Sequence, residues 1–172
     1  QLLPLVTGYE EYLPVFVLGV VIFMCAMNDI TAPSVSLEGK SIWILQSLPV
    51  PARKVLDAKK KVHWALTVPP AALLTAALSF VLGVSLTDTL LMLVLITVYI
   101  MFSASLGLWL NLRKPNLSWT NEAIPVKQSM AALIMILGGF AVSALFIGGG
   151  FLALKVMPAS VYIALFCVLL IV

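Results

Sequence analysis

Few side chains in this sequence are of the types that perform chemistry. There is one histidine, His63, and there are two cysteines, Cys25 and Cys167, which lie far apart inside apolar segments. General acid–base catalysis and metal binding both need several such groups close together. We therefore predict no catalytic residue, no metal site and no cofactor, and we interpret the histidine and the cysteines as packing residues.

The glycine-rich part of the sequence does not indicate a nucleotide site. The pattern GxxxxGK[ST], which cradles nucleotide phosphates, does not occur in the sequence. The run from Gly148 to Gly150 lacks the lysine and hydroxyl residue that would follow in a phosphate loop. We predict that this run is a hinge between two apolar segments.

The composition predicts that lipid surrounds most of the chain. Hydrophobic residues make up 62% of the 172 residues and charged residues only 10%. A soluble domain has about 25% charged residues, so a water-soluble fold of this size would leave too much apolar surface exposed. The predicted fold is an all-α, polytopic transmembrane helical bundle.

Five apolar segments are long enough to cross a bilayer, since a helix rises about 1.5 Å per residue and the hydrocarbon core is about 30 Å thick. They cover residues 13–30, 62–84, 88–110, 129–147 and 151–172, and they leave polar loops at 31–61 and 111–128. Residues 148–158 could instead form a re-entrant segment. Because the sequence starts at Gln1 and stops inside an apolar run, we expect residues 1–172 to be a single transmembrane-domain fragment of a larger protein.

The basic residues predict the orientation. Loop 31–61 carries six lysines and arginines and loop 111–128 carries three, whereas Lys155 is the only one elsewhere. Basic residues are concentrated in cytoplasmic loops. Both polar loops are therefore predicted to be cytoplasmic.

Loop 31–61 is longer than a simple connection requires. Ser36 is a plausible N-cap, and Leu37, Ile44, Leu45 and Leu48 give one face of a short amphipathic helix, which Pro49 ends. Two interpretations remain open at this point. The helix could lie on the membrane surface, held by anionic headgroups, or it could dock into another protein.

The same loop resembles a known family. Its sequence Glu38-Gly39-Lys40, followed by Leu45, by Leu48-Pro49-Val50, and by Val55 and Lys59, is similar to the loop after the second span of ABC-2-type transporter permeases. The second loop, with NLSWTNE at 116–122 and PVKQS at 125–129, resembles a Firmicutes-type subgroup of exporter permeases. The resemblance covers residues 29–139.

This resemblance implies a coupling helix in the first loop that sits in a cleft of an ATP-binding subunit. The residues implied at that contact are Glu38, Gly39, Lys40, Leu45, Leu48 and Pro49. The chain would then be the permease portion of an ATP-driven exporter that works by alternating access in the bacterial plasma membrane. It would not be an enzyme itself, because a partner subunit hydrolyses ATP. A second permease half, identical or not, and the lipid bilayer are the other expected partners, and nucleic acid is not one.

Two rival functions stay open on the sequence alone. One is an ion-coupled secondary carrier or channel, although the centres of the predicted spans hold no ionisable residue that would mark an ion path. The other is a non-transport membrane scaffold protein.

Overall fold

The computed structural model describes residues 9–121, 123–127 and 129–171, and helices are the regular secondary structure found in them. These residues form helices and no strand, so the all-α prediction is confirmed. Parts of the predicted second loop (122 and 128) and of the last span (172) lie outside the described residues. The helices are α1 (Leu13–Met27), α2 (Ile42–Ser47), α3 (Ala52–Leu82), α4 (Leu86–Arg113), α5 (Ala123–Lys127), α6 (Met130–Ala153) and α7 (Ala159–Ile171), with 3-10 turns at Glu10–Tyr12 and Ser36–Ser41.

Four of the helical stretches are long and apolar enough to cross a membrane, which indicates a membrane protein. They are Glu10–Met27, Ala52–Leu82, Leu86–Arg113 and Ala123–Ala153. The last helix, α7, has 13 residues. A straight crossing needs about 20 residues, so a crossing by the predicted fifth span stays a prediction.

Helices α1 and α4 form the centre of the bundle. Helix α1 packs against α6, α3 and α4, and α4 packs in addition against α3 and α7. Their facing side chains are apolar and fully buried, so close packing of these helices forms the core. The large apolar core residues without any exposed surface are Leu18, Ile22, Met92, Leu95, Ile96, Ile100, Phe146 and Ile163.

Helix α3 turns small and polar side chains inward and apolar side chains outward. Its buried residues recur every four positions: His63, Thr67, Ala71, Thr75 and Ser79. On its outer face, by contrast, Leu73 is 72% exposed and Phe80 is 88% exposed. Water would penalise such a helix, whereas lipid solvates its outer face and small inner residues allow close helix packing. The arrangement fits a bilayer environment.

The prediction of a hinge at Gly148 to Gly150 is wrong. These glycines lie within α6, and the chain leaves the helix only after Ala153. A Cβ on Gly150 would collide with Val15 of α1, and a Cβ on Gly149 would come within 2.9 Å of the Tyr162 hydroxyl. Their missing side chains therefore let neighbouring helices approach α6, and that is their structural role.

Two adjacent glycines of α6 provide a matched test of this packing. A Cβ on Gly139 would overlap Ala26 of α1, whereas a Cβ on Gly138 would meet no atom within 4 Å. We expect Gly139→Ala to lower the free energy of unfolding by about 1–3 kcal/mol, because the helices must separate. Gly138→Ala should be neutral or stabilising by up to about 1 kcal/mol, because alanine favours the helix. Thermal unfolding in detergent or nanodiscs measures both, and equal effects would contradict the proposed packing.

Candidate partner-docking site

The two polar loops meet at one end of the bundle around a single buried amide. Asn111, near the end of α4, is fully buried. Its Oδ1 accepts hydrogen bonds from the backbone N–H groups of Val35 and Ser36, both at 2.9 Å, and its Nδ2 donates to Ser36 Oγ at 2.8 Å. Since an unpaired buried N–H is costly, this side chain fixes the start of the first loop against α4.

Ser36 joins the first loop to the second. Its hydroxyl accepts a hydrogen bond from the Asn116 backbone N–H at 3.0 Å, and its carbonyl accepts one from Trp119 Nε1 at 2.6 Å. The prediction that Ser36 caps a helix is wrong, because no side-chain cap bond is formed there. Its hydroxyl is instead used in contacts with residues about 75 to 80 positions away in the sequence.

Gly39 interrupts the helix that was predicted to run from Ser36 to Leu48. Its backbone has φ 52° and ψ −133°, a combination that residues with a side chain rarely adopt. A Cβ at this position would lie 2.9 Å from Cζ2 of Trp119. The tryptophan ring therefore covers the glycine, and the helical segment shortens to α2, which begins only at Ile42.

An ion pair ties the first loop to the base of α3. Lys59 Nζ donates to Glu38 Oε1 and, at 2.8 Å, to the Ser34 carbonyl. Both charged side chains are largely shielded, with exposures of 19% for Lys59 and 28% for Glu38. Such partial burial makes the pair stronger than a fully solvated one, so the loop is held on α3 as well as on α4.

Helix α2 differs from the anchored part of the loop, because none of its residues is buried. Trp43 is 64% exposed and Ile44 is 47% exposed, and Leu48 just after the helix is also 47% exposed. Whether these side chains meet the membrane surface or another protein, the two interpretations left open by the sequence, stays a prediction. The apolar side chains of α2 lack a covering element among the described residues.

The six residues that the sequence assigned to a partner contact separate into two groups. Glu38 and Gly39 face inward and hold the loop, since one pairs with Lys59 and the other lies against Trp119. The other four lie on or beside α2: Lys40, Leu48 and Pro49 are exposed and Leu45 is partly exposed.

The charge on this end of the bundle is positive. Lys40, Arg53 and Lys54 are exposed. Among the described carboxylates, Glu38 pairs with Lys59, and Asp57 pairs with Lys60 at 2.8 Å and with Arg53 at 3.9 Å. The surface around α2 therefore offers apolar side chains with exposed basic side chains beside them.

Asn111 and Trp119 are the main residues of this site that sequence reasoning did not single out. Asn111 was interpreted only as the start of a polar loop, and Trp119 only as part of a resemblance. Their one signal in the sequence is chemical: an amide at the end of a long apolar run and an indole in a polar loop both need hydrogen-bond partners when buried. Which partners they find depends on the tertiary structure.

The described architecture defines a class of protein, an α-helical membrane bundle with one polar, positively charged end. Residues 11–168 match a family described as "Putative ATP-binding cassette", so the chain belongs to that family. No curated protein and no solved structure matches the chain.

The family match corrects the resemblance drawn from the loops. The chain was predicted to be an ABC-2-type transporter permease and to act as the permease portion of an exporter, but the family that matches is described by ATP binding and not as a permease. The rival of an ion-coupled carrier or channel finds no support in that match either. The error has a physical origin: short motifs of leucine, proline, glycine and lysine suit many loops at a membrane surface and do not define one family.

The buried amide allows a direct test of how the loops are held. Asn111→Ala removes the acceptor for two buried N–H groups, and we expect a loss of about 2–4 kcal/mol in the free energy of unfolding. Hydrogen exchange of residues 31–41 should accelerate at the same time. Asn116→Ala is the control, because that side chain is exposed and its backbone bond to Ser36 remains. Unchanged exchange in Asn111→Ala would show that the amide does not anchor the loop.

A second test concerns Gly39 and the ring that covers it. Gly39→Ala introduces both an unfavourable backbone conformation and a clash with Trp119, and we expect a destabilisation of about 2–4 kcal/mol. Gly83→Ala is the matched control, since Gly83 also has a positive φ, 70°, but no atom lies within 4 Å of its Cβ position. Limited proteolysis of loop 31–61 reports the difference. If both variants are cleaved equally fast, the tryptophan contact is unimportant.

Proposed function

We propose that the chain is the membrane-embedded helical component of an assembly that contains an ATP-binding cassette, and that α2 and its flanking residues dock the ATP-binding partner. The observation that carries this proposal is the contrast within loop 31–61. Its base is immobilised by Asn111, Trp119 and Lys59, while α2 exposes its apolar side chains. A rigid base with an exposed apolar tip is suited to binding a protein surface.

Family membership supports the choice of partner. The description of the family names an ATP-binding cassette, and the sequence contains no GxxxxGK[ST] pattern. The described residues form no strand, whereas a P-loop lies between a strand and a helix. We therefore assign ATP binding and hydrolysis to a partner protein or domain, and not to these helices.

The residues of the docking surface follow from their exposure. Trp43, Leu48 and Pro49 form its apolar part, with Leu45 partly exposed beside them, and Lys40 adds a charge at its edge. Glu38 and Gly39 act indirectly, by holding the loop in place. Trp43 is the expected centre, because large aromatic side chains contribute most to protein interfaces.

The proposed location is the cell membrane of a bacterium, with the docking end in the cytoplasm, where ATP is available. The concentration of basic residues at that end supports this orientation. The expected pairing with a second, identical or related half stays a prediction.

Substitution of Trp43 tests the docking role. We expect Trp43→Ala to reduce co-purification with the proposed ATP-binding partner by about tenfold or more, since loss of a central aromatic contact costs about 1.4 kcal/mol or more. The change in the ATPase rate of that protein on adding the chain should fall in parallel. Trp64→Ala is the control, because Trp64 is also exposed, at 44%, but lies on α3.

If Trp43→Ala and Leu48→Ala both bind the ATP-binding protein as tightly as the unmodified chain, α2 does not dock it. Binding of α2 to vesicles with anionic lipids, without any protein contact, would assign this surface to the membrane instead.

A further inference from the structure

Four polar side-chain atoms are buried without a hydrogen-bond partner in the part of the chain that the structure describes. They are Asp29 Oδ2, both ring nitrogens of His63, and Thr67 Oγ1. His63 and Thr67 lie one turn apart on the buried face of α3, with exposures of 1% and 3%. One turn before His63 on the same face of α3, Lys59 donates a hydrogen bond to the carbonyl of Ser34, which lies in the turn that Asp29 begins. The unpartnered atoms therefore lie in one region, where this face of α3 packs against the segment 29–34 that follows α1.

The two oxygens of Asp29 have different surroundings. Oδ1 accepts hydrogen bonds from the Thr31 N–H at 2.8 Å, from the Thr31 hydroxyl at 2.6 Å and from the Ala32 N–H at 3.3 Å. Oδ2 lies against α4, 2.7 Å from where a Cβ of Gly107 would be. One oxygen thus organises the start of loop 31–61, and the other faces the interior of the bundle.

The Thr67 hydroxyl is also unusual among the hydroxyls of these helices. Thr75 on the same face donates to the Ala71 carbonyl at 2.8 Å, and Thr97 donates to the Leu93 carbonyl at 2.8 Å. This bond to the carbonyl four residues earlier is the usual way to satisfy a threonine within a helix. Thr67 does not form it, so its hydroxyl remains available to another group.

We propose that Asp29, His63 and Thr67 bind one internal water molecule that bridges α3 to the start of loop 31–61. Water can donate to Asp29 Oδ2 and to the unprotonated ring nitrogen of His63, and it can accept from Thr67, which gives it about three hydrogen bonds, the usual number for a buried water. Without such a bridge, each buried polar group would keep its full desolvation cost. A metal ion is a poorer fit, since no group of three acidic, histidine or cysteine side chains occurs in the described residues.

The bridge has a consequence for the loop. Because Asp29 holds Thr31 and Ala32 with its other oxygen, the water connects His63 and Thr67 of α3 to the backbone that leads to α2. A change in the packing of α3 would therefore reach the base of the loop through one carboxylate. This role does not depend on which partner binds α2.

Threonine substitutions separate a bridged hydroxyl from one that has no ligand. We expect Thr67→Val to lower the midpoint of thermal unfolding by about 3–6 °C, since it removes one hydrogen bond of the water. Thr67→Ser, which keeps the hydroxyl, should restore most of the loss. Thr75→Val is the matched control and should change the midpoint less, because its hydroxyl bonds only to a carbonyl of its own helix. A neutral or stabilising Thr67→Val would overturn the proposal.

A double-mutant cycle then asks whether Asp29 and Thr67 share a ligand. The two side chains form no direct hydrogen bond, yet a shared water predicts that the midpoint shift of Asp29→Asn combined with Thr67→Val is smaller than the sum of the single shifts. Additive shifts would contradict the bridge. If Asp29→Asn does not fold, NMR of the single histidine provides the second measurement. Magnetisation transfer from a long-lived water to the Cε1–H of the His63 ring, which adjoins both ring nitrogens, should be present in the unmodified protein and lost in Thr67→Val, and its absence in both would overturn the proposal.

Discussion

The arrangement of the polar end depends on one buried side chain, the amide of Asn111. It lies at the end of a long apolar helix, in a place where backbone N–H groups of a loop cannot reach water. By accepting from two of them and donating to Ser36, it uses its acceptor and donor groups within the protein. The other contacts of the loop, from Trp119 and from Lys59, build on a segment that this amide has already positioned.

The packing of the bundle depends on a different constraint, because lipid and not water is expected around its outer surface. In α3 the polar side chains face the interior and the large apolar side chains face outward. Small residues on the inner surfaces, such as the glycines of α6, let the helices approach closely, and dispersion contacts then replace the hydrophobic effect as the main source of packing energy. Because polar side chains face the interior, a few of them, including His63 and Thr67, need hydrogen-bond partners inside the bundle.

Under the proposed function, family membership and structure describe different parts of one assembly. The family is named for an ATP-binding cassette, while the described residues form a helical bundle with a loop held on three sides. The two are reconciled if the bundle anchors and receives the protein that binds ATP. The loop is suited to this task because its stiffness comes from the bundle and its exposed apolar residues come from α2. Docking would need both the stiffness of the loop and the exposed apolar side chains of α2.

The sequence alone was sufficient for the helical class and for the presence of apolar helices long enough to cross a membrane, because these follow from composition and from periodicity along the chain. It was not sufficient for the roles of Ser36, Gly39 and the glycines of α6, which were interpreted as a helix cap, part of a helix and a hinge. Those roles depend on contacts between residues about 75 to 135 positions apart, such as Ser36 with Asn111 and Gly150 with Val15. Local propensities describe only neighbouring residues, so which hydrogen bonds a buried group makes is decided when distant helices pack together.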